Sequence, residues 1–208
     1  MSKTIKNISA SVHARLLDQA RKDKRPFYHG LRITFKGYLG NAEIPMQIDI
    51  GFGDIVYPSA QKINLPPMLD FPAATLLCYS RESSIAEKFE AAISLGILNS
   101  RMKDFFDIWS LSRQFDFDST ELAEAIRLTF NRRDTEIPKN LSLFGSDFIK
   151  QKQPQWTAFR NRLKSEHIPE PFEEIVKVFN QFLSQVLESD GGKNSRSRWV
   201  APGPWRES

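Results

Sequence analysis

The first quarter of the sequence changes from a helical to a strand-like pattern of apolar residues. Over residues 8–20 apolar side chains recur every three or four positions, which is typical of an amphipathic helix. The basic run of residues 21–26 ends in proline and stops this pattern. Residues 31–39 and 44–52 instead alternate apolar and polar side chains on either side of the turn sequence Gly40-Asn41. The pattern predicts one helix followed by an antiparallel β-hairpin.

Helical patterns dominate the rest of the chain. Residues 57–72 contain four prolines and are predicted to form an ordered connection rather than an element. The spacing then predicts helices over residues 84–93, 101–111, 118–130 and 171–186. After Asp190 the composition turns to glycine, serine, arginine and proline, which indicates disorder. The expected fold class is α+β, and its segments are an N-terminal helix with a basic linker, a hairpin segment, a helical domain and a disordered basic tail, at residues 1–27, 28–72, 73–189 and 190–208.

The composition is that of an ordinary globular protein. The 208 residues are 40% hydrophobic and 26% charged, which suffices for one domain with a real core. No apolar run approaches the roughly eighteen residues of a membrane span, and the first residues lack the apolar stretch of a signal peptide. The single cysteine, Cys78, excludes an internal disulfide. Together these features predict a cytoplasmic protein without a membrane partner.

The net charge of +4 is unevenly distributed along the chain. Residues 1–25 carry seven Lys or Arg against two Asp, and residues 191–208 carry four Lys or Arg against one Glu. The middle of the chain is therefore mildly acidic. Basic ends can attract the phosphates of a nucleic acid by releasing counterions, but solvated charge at the termini explains them equally well.

Motifs of several common functional sites are missing from the sequence. The three histidines, His13, His29 and His167, have no neighbours at the spacing of zinc ligands. No GxGxxG or P-loop sequence occurs, which excludes the nucleotide sites built on those loops. The residues around Cys78 match no catalytic signature, so we interpret this cysteine as a small buried thiol.

The first candidate for chemistry is an acidic residue in the second predicted strand. Asp49 stands between Ile48 and Ile50, and a buried carboxylate is costly unless it is paired or binds a metal. Alternatively, Asp49 faces water on the polar side of the hairpin, as the alternation of the strand also allows. Asp54, beyond the sequence Gly51-Phe52-Gly53, is interpreted as a turn residue.

The second candidate is a group of charges on two adjacent predicted helices. Asp104 and Asp107 are three residues apart and share one helix face. Lys88 falls in the first turns of the preceding helix, where the helix dipole would also attract a phosphate, and Arg101 could grip that phosphate with its guanidinium. The alternative is a local network of ion pairs that joins the two helices.

Four segments of the chain together resemble one protein family. Residues 41–54 (NAEIPMQIDIGFGD), 85–96 (IAEKFEAAISLG), 99–108 (NSRMKDFFDI) and 128–138 (LTFNRRDTEIP) are similar to the AbiEii/AbiGii toxins of bacterial abortive-infection and type IV toxin–antitoxin systems. The resemblance implies a polymerase-β-like nucleotidyltransferase that uses Mg2+ to transfer nucleotides from an NTP to RNA, in several members tRNA. It also implies a cognate antitoxin protein as partner and a role in phage defence.

The resemblance assigns roles to the candidate residues. It implies that Asp49 is a catalytic carboxylate that binds the metal, and that Lys88 is the catalytic lysine on the NTP phosphates. Asp104 and Asp107 match the catalytic acidic motif of the following helix. The implied nucleotide-binding residues are Lys88, Arg101 and Lys103.

The chain departs from the family pattern at the first catalytic motif. That motif is a Gly-Gly or Gly-Ser turn followed after about ten residues by Asp-x-Asp, which supplies the principal metal ligands. Gly145-Ser146 has no Asp-x-Asp after it, and Asp116-Phe117-Asp118 has no glycine turn before it and lies at a predicted helix start. The block expected between the N-terminal helix and the first strand is absent, because residues 25–27 run directly into residues 28–30.

The missing block has consequences for fold and activity. It predicts a truncated nucleotidyltransferase sheet, with the hairpin as its remnant and an unpaired edge, followed by a helical C-terminal region. A lone Asp49 with helix carboxylates opposite Lys88 cannot hold two Mg2+ ions, so weak or absent transfer is expected unless a dimer or another polypeptide supplies the first motif. The alternative is a non-catalytic remnant that binds the antitoxin or RNA.

Overall fold

The computed structural model describes residues 30–67, 70, 72–188 and 197–207. The helix predicted for residues 8–20 lies outside the described residues. The chain divides into two compact units, Met1–Asp54 and Ile55–Ser208. Among the described residues, no helix combines the length and apolar character needed to cross a membrane.

The described part of the first unit is the predicted hairpin. Strand β1 (Gly30–Leu39) pairs antiparallel with β2 (Ala42–Gly51) around a turn in which Gly40 takes a φ of 58°. Directly opposed residues share a face, so Phe35 and Met46 lie on an apolar face. Arg32 and Asp49 are paired on the opposite, polar face. The prediction of a two-faced antiparallel hairpin is therefore confirmed.

The second unit begins with another hairpin, which the pattern of apolar residues does not predict. Strand β3 (Gln61–Leu65) pairs antiparallel with β4 (Ala74–Cys78). The interpretation of residues 57–72 as a connection without an element is wrong for β3. Both strands have five residues, and prolines at positions 58, 66, 67 and 72 lie on either side of β3. Such a short alternation is hard to distinguish from the surrounding loop by its pattern.

Five α-helices are described in the second unit, and they make up most of it. They are α1 (Arg81–Leu95), α2 (Met102–Gln114), α3 (Ser119–Arg132), α4 (Ser146–Leu163) and α5 (Phe172–Glu188). Side-chain oxygens of Ser80 and Asp118 cap the starts of α1 and α3. Helix α5 begins at Phe172, one residue after the start predicted at residue 171. The expected α+β class is confirmed for the described residues.

Aromatic side chains fill the centre of the second unit. The ring of Phe105 on α2 lies 5.1 Å from that of Phe179 on α5, and within 6 Å of three further phenylalanine rings. Phe179 and Phe182 are fully buried because α5 repeats apolar residues at helical spacing. This core fixes α1 and α2 relative to each other and so positions the charged residues along their edge.

The C-terminal segment joins this core through a small sheet. Strand β5 (Phe117–Asp118) pairs with β6 (Ser197–Trp199), which pairs with β7 (Trp205–Glu207). The Trp199 ring is 2% exposed and lies 4.9 Å from the Phe182 ring, and its indole N–H donates to the Ser112 carbonyl at 2.5 Å. The expectation of a disordered tail at residues 190–208 is therefore wrong for residues 197–207. Burial of Trp199, with Trp205 packed beside it, stabilises this segment despite its polar composition.

Candidate functional site

Asp49 lies on the polar face of the first hairpin and is already paired. Its Oδ1 accepts from Arg32 Nε at 2.7 Å, and its Oδ2 accepts from Arg32 Nη2 at 3.1 Å and from Gln47 Nε2 at 2.7 Å. Hydrogen bonding to Arg32 lowers the pKa of the Asp49 carboxyl, against a smaller opposing effect of desolvation. The side chain is 55% exposed, which confirms the water-facing interpretation. Its role as a metal ligand stays a prediction.

The charged residues predicted on the two helices are brought together in the second unit. Lys88 Nζ on α1 lies 2.7 Å from Asp107 and 3.5 Å from Asp104, both on α2. Lys103 lies 2.6 Å from Asp107, and Arg101 lies 3.8 Å from Asp104. We call these five residues the Lys88 cluster. The alternative of an ion-pair network between the helices is thus confirmed, whereas the catalytic and nucleotide-binding roles stay predictions.

Local structure explains why the Lys88 cluster forms. Gly96 adopts a φ of 49° after α1, and a short 3-10 turn at Gly96–Leu98 leads the chain back toward α2. The Asn99 side chain accepts from the Arg101 backbone N–H at 2.7 Å just before α2 begins. Phe89 and Phe105 pack into the core from these two helices, so Lys88 and the α2 acids meet at their common edge.

Cations outnumber acids in the Lys88 cluster by three to two. The side chains of Asp104 and Asp107 are 14% and 19% exposed, and that of Lys88 is 24% exposed. Partial burial of this kind strengthens each ion pair relative to one in water. Lys103 and Arg101 are more exposed, at 68% and 45%. The most exposed charges of the cluster are therefore the cations Lys103 and Arg101.

A second ionic group joins α1 to the end of α3. Arg133 contacts Glu87 and lies 2.6 Å from Glu90, and Thr135 donates a hydrogen bond of 2.7 Å to Glu90. Glu90 is 4% exposed. Burial raises the pKa of Glu90, and the hydrogen bond from Thr135 opposes this effect. No local sequence pattern singles out Arg133 and Thr135 as partners of Glu90, although both lie in one of the segments that carry the family resemblance.

An open groove runs between the start of α2 and the helix α4. Its volume is about 730 Å3. Arg101, Lys103 and Asp104 line it from α2 and the residue before it, and Gln155 and Arg162 line it from α4. Neither α4 residue was singled out from the sequence, because the residues that make up the groove are more than fifty positions apart. We call this feature the α2–α4 groove.

The described residues do not fit a two-Mg2+ centre. Such a centre needs several carboxylate oxygens that are available to the cations. Among the residues that the structure describes, no group of three or more His, Cys, Asp or Glu could hold a metal ion. Arg32 and Gln47 occupy the oxygens of Asp49, and lysine side chains face Asp104 and Asp107.

Comparison with known proteins identifies the family. No curated protein and no solved structure matches the chain significantly. A family model described as the nucleotidyl transferase AbiEii toxin of type IV toxin–antitoxin systems matches residues 1–178. The match covers most of the chain, including the hairpin, the Lys88 cluster and the α2–α4 groove. The chain therefore belongs to the AbiEii family of nucleotidyltransferase toxins.

Proposed function

We propose that this chain is an AbiEii-family toxin component in which nucleotide transfer is weak or absent. The family implies a nucleotidyltransferase toxin of a type IV toxin–antitoxin system and a cognate antitoxin partner. In this proposal the ancestral reaction is Mg2+-dependent transfer from an NTP to tRNA, in defence against phage. In this proposal the chain keeps residues that surround the ancestral site and has lost the capacity to catalyse the transfer efficiently.

The observation that carries the proposal is the missing Asp-x-Asp motif. No glycine turn followed by Asp-x-Asp occurs anywhere in the 208 residues. Transfer between phosphates relies on carboxylates that hold two cations on the attacking and leaving oxygens. The candidate acids Asp49, Asp104 and Asp107 are paired with Arg32, Lys88 and Lys103, which supports the same conclusion.

A transfer assay tests the proposal directly. The purified full chain is incubated with tRNA, Mg2+ and each labelled NTP in turn, and incorporation into tRNA is measured. Glu43→Gln is the matched control for Asp49→Asn, because Glu43 lies on the same strand and pairs with Lys36 at 2.6 Å. We expect no incorporation above background. Incorporation that Asp49→Asn abolishes and Glu43→Gln preserves would overturn the proposal.

The second candidate function is a non-catalytic module that binds RNA or the antitoxin. The exposed cations Lys103 and Arg101 of the Lys88 cluster favour it, because phosphate binding needs fixed positive charge and no metal. Expression in a bacterial host separates the two functions. Growth arrest that the neighbouring antitoxin gene relieves supports an active toxin. Binding of RNA or antitoxin without growth arrest supports the module.

A further inference from the structure

The first hairpin has an apolar face that stays open in the described part of the chain. Ile33 and Ile48 are directly opposed and so share a face of the sheet. Phe35 and Met46, two positions further along, are opposed on the same face. The side chains of Ile44, Met46 and Ile48 are 45%, 39% and 49% exposed. No hairpin residue belongs to the hydrophobic core that the structure describes, so this face has no apolar partner within the described residues.

A two-stranded sheet of this kind needs a cover in order to be stable in water. Among the described residues, β1 and β2 pair only with each other. An isolated hairpin is marginally stable, and a helix or a further strand packed against it supplies the missing burial. The opposite face carries the ion pairs Arg32–Asp49 and Lys36–Glu43 and is therefore suited to water. The cover is expected on the apolar face.

We propose that residues 8–20 of the same chain dock on this face as an amphipathic helix. In the sequence, apolar residues at positions 8, 12, 16, 17 and 20 recur at helical spacing and form one stripe. This segment shortly precedes the hairpin, and both belong to the compact unit Met1–Asp54. A helix laid on a sheet buries the apolar surfaces of both elements at once. The docking does not depend on whether the chain transfers nucleotides.

The connection to the hairpin is long enough for this docking. Residues 21–29 join the predicted helix to Gly30, where β1 begins. These residues span up to about 30 Å when extended, and a strand of ten residues is about 33 Å long. The predicted helix over residues 8–20 is about 20 Å long, which is shorter than the face. The chain can therefore leave the start of β1 and place the helix over the middle of the hairpin.

The size of the face favours a tethered segment over a second copy of the chain. Two strands make a surface about 33 Å long and about 10 Å wide, or about 330 Å2 on each copy. Packing of two copies face to face would then bury about 660 Å2, whereas stable interfaces between proteins bury about 1,200 to 2,000 Å2. A segment of the same chain needs less area, because the tether raises its effective concentration at the face.

Docking of residues 8–20 determines which face of the hairpin is available to other molecules. Gln47 and Asp49 alternate with Met46 and Ile48 along β2 and so lie on the opposite face. A helix on the apolar face therefore supports the hairpin without covering the carboxylate of Asp49, which is 55% exposed.

Hydrogen exchange of the full chain, followed by mass spectrometry of peptides that cover residues 44–50, tests the docking. Leu16→Asp places a charge within the apolar stripe and is expected to speed exchange in these peptides about tenfold or more. Ala14→Asp is the matched control, because two positions correspond to about 200° around a helix and so to its opposite side. This control is expected to change the exchange rates less than about twofold.

Cross-linking gives a second measurement, which does not rely on destabilising the hairpin. In a Cys78→Ser background, Leu16→Cys is combined with Met46→Cys on the apolar face or with Gln47→Cys on the polar face. A short bismaleimide is expected to join the first pair of cysteines within one chain and to leave the second pair unlinked.

Three results would overturn the inference. They are equal exchange rates in Leu16→Asp and Ala14→Asp, equally efficient linking of the two cysteine pairs, and links between chains together with a dimer mass in light scattering. The last result would identify a second copy of the chain as the occupant of the face. Failure here is separate from failure of the proposed function, because the transfer assay measures covalent incorporation into tRNA.

Discussion

Arg133 compensates two acidic side chains of α1, and its loss should expose a dependence of stability on pH. Its guanidinium contacts Glu87 and lies 2.6 Å from Glu90, whose side chain is 5% exposed. Arg133→Met keeps the aliphatic stem and removes the charge. Glu90 then retains the hydrogen bond from Thr135 but has lost its ion pair. The perturbation therefore leaves a carboxylate inside the protein with incomplete compensation.

The magnitude follows from the burial of the pair. Removing one partner of a buried ion pair costs about 3 to 5 kcal/mol of the free energy of unfolding. Arg133 is 17% exposed and Thr135 continues to donate to Glu90, so we expect the lower end of that range. The prediction is a loss of about 3 kcal/mol at about pH 8.

The sign of the pH dependence follows from the pKa of Glu90. Burial already raises this pKa in the wild type, and loss of the Arg133 charge raises it further. An acid whose pKa is higher in the folded state favours folding at low pH, and this contribution is lost as the pH rises through the folded pKa. Arg133→Met is therefore expected to cost less at about pH 5 than at about pH 8.

Urea unfolding followed by circular dichroism at the two pH values measures the effect. Arg127→Met is the control, because Arg127 pairs with Glu124 within α3 and is 53% exposed. Its urea midpoint is expected to stay unchanged, as is usual for an exposed pair. A loss for Arg133→Met below about 1 kcal/mol at the higher pH, or an equal loss at both, contradicts the reasoning.

Three other parts of the fold give further predictions. Trp199→Ala should remove the ring that packs on Phe182, lowering the free energy of unfolding by about 3 kcal/mol in urea and reducing the near-ultraviolet circular dichroism. Asp118→Ala should remove the cap of α3 and cost about 1 kcal/mol, again measured in urea. In the first hairpin, Arg32→Gln should raise the pKa of Asp49 toward its ordinary value, as measured by titration of the carboxyl resonance in NMR; an unchanged pKa would contradict the pairing.

Elements with a strong local period could be predicted from the sequence, and elements that depend on distant partners could not. Strands β1 and β2 are ten residues long and alternate apolar and polar side chains, and α5 repeats apolar residues at helical spacing over its 17 residues. Strand β6 has three residues, and its partner β5 lies about eighty positions earlier in the chain. No local pattern encodes that pairing, because the buried Trp199 and a sheet partner from another region stabilise it.

In the candidate site, too, contacts between neighbouring elements could be predicted from the sequence, and contacts between distant residues could not. Lys88 and the acids of α2 could be placed together because two consecutive helices joined by a short turn must pack side by side. The partnership of Arg133 with Glu90 spans 43 residues, and Arg162 reaches the groove from α4, the second helix after α2. Charge alone does not reveal such contacts, since most charged side chains of a sequence are simply solvated.

Binding a phosphate group and transferring one make different demands on the charged residues of the second unit. Binding needs cations held in place, and the contacts of Asp104 and Asp107 hold Lys88 and Lys103 beside Arg101. Transfer through metal ions needs carboxylate oxygens that are still available, and these same contacts occupy them. The same ion pairs also neutralise part of the charge of Lys88 and Lys103, so the cation of the cluster that lies farthest from a carboxylate is Arg101, at 3.8 Å from Asp104. Under the second candidate function proposed above, a chain of this family without the Asp-x-Asp motif would still bind RNA or the antitoxin after its capacity for transfer has declined.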